Sequence, residues 1–272
     1  MQKSRKKEIR IKADSFREKC KISRYGIIDL FKECERCGFK LIRYPLGEES
    51  DLGFALKKDR DIVIFTNTCS RLAREIFTLA HEIGHVVLHM EGAASFVDDT
   101  ITISGRSTDE KEQEANYFAA CLLMPEDEIN KFLDLVIEDF DKRGLTAMDI
   151  ARIMSEFNVS FETAINRLES LGKISPSQKI HLDNERNQTR VGNLLKIVGG
   201  NNRLNEASGS TYIPCEYIDY VIYNYNHNAI PQETLEKALD YYRLTIEDIS
   251  DKIIEHAEEN DDLDDLIGGL DD

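Results

Sequence analysis

Nothing in the 272 residues approaches the roughly 20 consecutive apolar side chains that a membrane-spanning helix needs, and no apolar segment follows the basic N-terminus as a secretory signal would. The expected setting is the cytoplasm, with no membrane partner. Positive charge is also in short supply: 35 Lys and Arg stand against 51 Asp and Glu, a formal net charge of −16. Proteins that bind duplexes concentrate cations to neutralise phosphates, so direct nucleic-acid binding is not expected. The imbalance is uneven, with bases crowding residues 3–24 and acids crowding residues 247–272. Cysteines are few and scattered. Cys34 and Cys37 have the spacing of half a zinc knuckle or a redox pair, but no second CxxC and no βαβ pattern accompanies them, so they read as two thiols at a helix end. In a cytosolic chain the six cysteines are expected to be reduced thiols. There is no internal repeat.

What is present suffices for a packed core: 41% of residues are hydrophobic, with ten Tyr and twelve Phe. The length suits one large domain, or a catalytic domain with a smaller appendage. Apolar periodicity predicts a helix over residues 23–37 closed by Gly38. Short strands over 39–44, 52–56 and 61–67 should then form a small antiparallel sheet. Residues 70–90 read as a long helix, apolar on more than one face and so deeply buried. A loop rich in Gly, Ser, Thr and Asp over 92–106 leads to Ser107 and Glu110, spaced as a capping box, and to a helix stopped by Met124-Pro125. Further helices are expected at 126–140, 147–157 and 160–171.

The polar stretch 173–190 is the expected boundary between a first domain, residues 1–172, and a mostly helical C-terminal region, residues 173–272. In the latter, 199–211 reads as a loop, 215–225, 232–242 and 246–256 as helices, and the acidic end from Glu258 as frayed. The fold class is α+β, a small sheet packed on a helical bundle.

Inside the long helix stands His81-Glu82-Ile83-Gly84-His85. Residues four apart on an α-helix lie one above the other, about 6 Å along the axis, so His81 and His85 project from one face and can share a zinc ion at about 2.0–2.1 Å. Glu82 lies beside that face, where its carboxylate can take a proton from the attacking water and pass it to the leaving amine. With six His in the chain, an accidental HExxH is expected on the order of one chain in a hundred. The pattern points to hydrolysis of a peptide bond.

A catalytic zinc needs a third protein ligand and an open fourth position. His89 continues the histidine stripe but lies roughly 12 Å along the axis from His81, too far to share its coordination sphere. Glu91 falls where metzincins place a third histidine, but it is not His, and Leu88 stands where they need glycine. Glu112 is better placed, in the first turns of the next helix and in phase with Asn116, Ala119 and Leu123 at the edge of its core-facing side. Asn116, one turn later, could hydrogen-bond the free ring N–H of a zinc-bound histidine. Glu114 is the rival ligand, but it points about 160° around the helix from Glu112.

The run Phe77-Thr78-Leu79-Ala80-His81-Glu82-Ile83-Gly84-His85 is followed by Glu112-Gln113-Glu114-Ala115-Asn116-Tyr117-Phe118-Ala119-Ala120 and then Leu122-Leu123-Met124-Pro125. With Asn158-Val159-Ser160, Arg167-Leu168 and Leu171-Gly172, these resemble the ImmA/IrrE family of gluzincin-type metallo-endopeptidases over about residues 60–172. The resemblance implies a zincin-like fold and a cytosolic zinc peptidase, often encoded on mobile elements or in stress-response loci, that acts on a DNA-binding repressor. Residue by residue, it places His81, His85 and Glu112 on the metal and makes Glu82 the general base.

Residues 149–174 have the outline of a helix-turn-helix, but four acids against three bases argue against DNA contact. His181, His227 and His256 are isolated and read as surface histidines. The rival to a peptidase is a non-enzymatic regulator whose zinc is structural or sensory and whose C-terminal region binds a partner protein. Glu82 separates the two, since a structural zinc has no use for a carboxylate beside it.

Overall fold

The computed structural model describes residues 1–47, 52–58, 60–90 and 109–254. The expected loop 92–106, Ser107 of the expected capping box and the acidic end from Glu258 lie outside these residues.

The basic N-terminal segment forms a helix, α1 (Lys3–Arg17), that the charge-dominated sequence did not suggest. Ile9, Ala13 and Phe16 recur at helical spacing and are buried, while most of the bases occupy the outer face. Next comes α2 (Leu30–Arg36), capped by the Asp29 side chain, which accepts from Lys32 N–H at 3.2 Å. It is shorter than the expected 23–37 because Ser23 N–H donates to Gly26 O (2.8 Å), folding residues 22–27 into a turn closed by an Ile22–Ile27 bridge.

Three strands follow: β1 (Lys40–Tyr44), β2 (Gly53–Lys58) and β3 (Asp61–Asn67), in spatial order β1-β3-β2. The α+β class holds, with one difference in the sheet. The β2–β3 hairpin is antiparallel, while β1 runs parallel to β3, so the sheet is mixed. Hairpin neighbours must run antiparallel, whereas β1 and β3 are separated by the whole of β2, and that excursion serves as the crossover a parallel pair requires.

The long helix α3 (Leu72–His89) lies between the sheet and α4 (Glu110–Leu123), which is why it is apolar on more than one face. Asp109 caps α4, accepting from Lys111 N–H at 2.9 Å. The expected helix 126–140 is broken into α5 (Glu126–Val136) and α6 (Phe140–Arg143) at Asp139, whose φ of 53° is left-handed. α7 (Ala147–Phe157) starts with a capping box between Thr146 and Asp149, and α8 (Phe161–Ser170) with a Ser160 cap. Most of the polar stretch 173–190 is itself helical, as α9 (Pro176–Gln188), followed by α10 (Val191–Ile197).

The loop expected over 199–211 holds a 3-10 turn (Asn202–Asn205) and then a strap. Ala207 bridges Arg71 and Tyr212 bridges Arg43, which borders the sheet along β1. Glu206 O accepts Leu72 N–H (2.8 Å), supplying the N-terminus of α3, where Arg71 gives no side-chain cap. Ser208 Oγ donates to Glu75 Oε2 (2.7 Å), and the buried Glu75 also accepts from Arg43 (2.8 and 3.0 Å) and Thr66 (3.0 Å).

The chain divides into two compact units, Met1–Ile213 and Pro214–Asp272. The second contains α11 (Glu216–Asn226), α12 (Gln232–Tyr241) and a 3-10 turn (Glu247–Lys252) where a helix over 246–256 was expected. Val221, Ile222, Leu235, Leu239 and Ile249 form its core. Among the described residues no helix is long and apolar enough to cross a membrane.

Candidate metal centre

The packing of α3 against α4 turns a one-dimensional spacing into a three-dimensional cluster. His81 is 1% exposed, Glu82 4% and Glu112 6%. The Nε2 atoms of His81 and His85 lie 2.9 Å apart. Glu112 Oε2 is 3.2 Å from His81 Nε2, and Oε1 is 3.0 Å from His85 Nε2. The ligand atoms of these three residues all fall within 4.8 Å of one another, the one such group of His, Cys, Asp and Glu among the described residues.

Asn116, one turn after Glu112 on α4, places its Oδ1 3.0 Å from His81 Nδ1. An amide oxygen only accepts, so Nδ1 carries the proton and donates. His81 Nε2 then has a lone pair and no hydrogen, which explains why Glu112 Oε2 is buried without a hydrogen bond although that nitrogen is close by. The lone pair of His81 Nε2 thus converges with the Glu112 carboxylate and with His85 Nε2. Their 2.9–3.2 Å separations approach the edge of a tetrahedron with 2.0 Å bonds, about 3.3 Å. The donor set fits a zinc ion.

Protonation suits the same purpose. Burial pushes the Glu112 carboxyl upward, but His81 and His85 outweigh it and hold the pKa down to about 2, so the group is ionised. Burial lowers the His81 imidazole below its ordinary value, which keeps it neutral, the form a metal requires.

The other contenders lie elsewhere. His89 lies one turn beyond His85, its ring tilted against that of His85 with centroids 5.4 Å apart, and its Nε2 is buried without a hydrogen-bond partner. Glu114 is gripped by Arg5, whose Nε and Nη2 donate to its two oxygens at 2.7 and 2.6 Å. Glu91 lies outside the described residues.

Glu82 points toward the sheet. A Cβ built on Gly53 would lie 2.5 Å from Thr78 Cγ2, 2.8 Å from Phe65 O and 3.6 Å from Glu82 Cγ, so β2 runs close over Glu82 where only glycine fits. Asn67 N–H donates to Leu52 O (2.8 Å), which makes 52/67 a hydrogen-bonded pair in the register. By alternation, Gly53, Ala55 and Lys57 turn their backbone groups away from β3 toward an open border, and among the described residues no strand pairs with it. Sequence reading did not find this edge, although a glycine at the start of a strand was the available signal.

A model of the IrrE N-terminal-like domain, a peptidase family, matches residues 34–169. The chain belongs to this family. Its membership supports the function of a metallopeptidase family. No curated protein matches the chain. The match begins inside α2 and ends inside α8, so α1, the strap and the second compact unit lie outside it. Within it, the helix-turn-helix outline of α7 and α8 turns inward: Phe161, Ala164, Ile165 and Leu168 are buried, and the buried Arg167 donates to Met124 O (3.0 Å) at the end of α4.

Proposed function

We propose that this peptidase is a zinc-dependent endopeptidase that cuts a protein substrate, a DNA-binding repressor or stress regulator in keeping with the family resemblance. His81, His85 and Glu112 hold the metal, Glu82 is the general base, and Asn116 orients His81. The chemistry belongs to residues 1–172, and residues 173–272 act outside the reaction. When bound, zinc supplies Lewis acidity to a carbonyl and makes water nucleophilic near neutral pH.

The remaining steps fall to side chains. Asn116 fixes the His81 ring by accepting from Nδ1, so that Nε2 faces the metal. Glu82 takes the proton of the attacking water and returns it to the leaving nitrogen. A substrate segment pairs with the open border of β2 at Gly53, Ala55 and Lys57, which lays its backbone beside Glu82.

The observation that carries this reading is the convergence of His81 Nε2, His85 Nε2 and the Glu112 carboxylate within 2.9–3.2 Å, with Glu112 Oε2 buried without a hydrogen bond beside a His81 Nε2 that Asn116 leaves without a proton. The test pairs zinc-loaded protein with the product of a neighbouring repressor gene, with and without chelator, for the parent and for Glu82→Gln. A defined cut by the parent alone, lost with chelator, supports it. If Glu82→Gln retains zinc and cleaves like the parent, the peptidase mechanism is wrong.

A further inference from the structure

The helix α1 lies outside the family match, yet it touches both helices that bear the metal-facing residues. Lys12 Nζ donates to Val87 O in the last turn of α3 at 3.3 Å. Arg17, itself buried, donates to Leu122 O at the end of α4 (3.0 Å) and to Tyr25 O. Arg5 makes the third contact, the fork on Glu114, whose side chain is 8% exposed. Glu114 stands two residues beyond Glu112.

The covalent path between His89 and Glu110 runs through the twenty residues 90–109, so covalent geometry does not set how α4 lies against α3. Non-covalent grips must do so. A metal site tolerates only about 0.5 Å of error in its ligands. Arg5 is suited to the task because a bidentate guanidinium–carboxylate pair fixes angle as well as distance. The pair also keeps both oxygens of Glu114 occupied, although Oε2 is only 3.9 Å from the unpartnered His89 Nε2.

We propose that Arg5 is a positioning residue for the metal site: by clamping Glu114 it sets the first turns of α4, and with them the carboxylate of Glu112, against His81 and His85. This rests on the reading of those three residues as zinc ligands. It makes α1 a working part of the site rather than a basic leader.

The test uses the full chain and three measurements: zinc affinity by competition with a chelator, the visible absorption spectrum of the cobalt-substituted protein, and the melting temperature without metal. Arg5→Gln should bind zinc about tenfold more weakly, the low end of what loss of a supporting group outside the ligands costs a metal site, with an altered cobalt spectrum. Arg10→Gln, also on α1, removes an exposed contact to Glu126 at the start of α5 (3.5 Å) and should match the parent in both. Glu114→Gln serves as a second variant on the same pair, and the double variant should lose no more than either single one. A parent-like affinity and spectrum in Arg5→Gln, an equal loss in Arg10→Gln, or additive losses in the double variant would overturn the inference. A parent that binds no zinc would overturn the zinc site and this inference together, whereas a zinc-binding parent with an unaffected Arg5→Gln overturns this inference alone.

Discussion

Gly84 of α3 lies against Ala115 of α4 so closely that a Cβ at position 84 would sit 3.2 Å from both the Cα and the carbonyl oxygen of Ala115, and 3.1 Å from Phe118 Cδ1. The second variable position of the HExxH sequence therefore sets the separation of the helices that bring Glu112 to His81 and His85. Gly84→Ala gains about 1 kcal/mol in helix propensity but meets backbone that cannot yield, an overpacking cost of about 1–3 kcal/mol. The expected net loss is about 1 kcal/mol, with weaker zinc binding. Chemical denaturation of the metal-free protein and chelator competition read the two effects, and a more stable variant with parent affinity would show that the helices part without consequence.

The open border of β2 makes a different prediction. Ala55 turns its N–H outward, so proline there removes a donor from the free edge and none from the pairing with β3. Ala55→Pro should keep its fold and its zinc while cleavage of a protein substrate falls at least about tenfold, the cost of one to two lost backbone hydrogen bonds. Undiminished cleavage would move the substrate off this strand.

Acid stability should depend on Asp149. Burial raises its pKa, but hydrogen bonds from Arg143 and Thr146 outweigh that and leave it below the ordinary carboxylate value. A depressed folded pKa contributes stability that is complete above the unfolded value and disappears as pH falls through the folded one. Asp149→Asn should therefore melt below the parent at pH 6, by about 1 kcal/mol given its half-exposed arginine partners, and the gap should close below pH 4. A gap that persists at low pH would assign the effect to shape rather than charge.

Truncation tests the strap. A chain ending at Gly172 loses the acceptor for Leu72 N–H, the bridge to Arg43 and the Ser208 hydroxyl on Glu75, whereas one ending at Ile213 keeps all three. The longer form should melt cooperatively and bind zinc, and the shorter should lose several kcal/mol or aggregate. Equal melting temperatures would make the strap dispensable.

The residues of the His81, His85 and Glu112 cluster are legible because side-chain phase is a local property. His81 and His85 share a face by spacing alone, and Glu112 and Asn116 were singled out by their phase on α4. The rest was hidden for reasons of the same kind. In α1, three buried apolar positions were masked by the bases around them, and α9 fully buries only Leu182. The parallel β1–β3 pairing is decided by which neighbour a strand finds, not by its composition. The strap acts through backbone groups that every residue owns equally, so Glu206 and Tyr212 carry no signal of their role.

The backbone role of the strap constrains how such a domain can be inherited. The helix holding the HExxH sequence receives its first backbone acceptor from Glu206, beyond the end of the family match at residue 169. Whatever follows the match is therefore not a freely exchangeable cargo. A new C-terminal module grafted behind α8 must bring its own segment to border Arg43 and close the start of α3, or the recombinant chain inherits the HExxH sequence on a helix left open at its first turn.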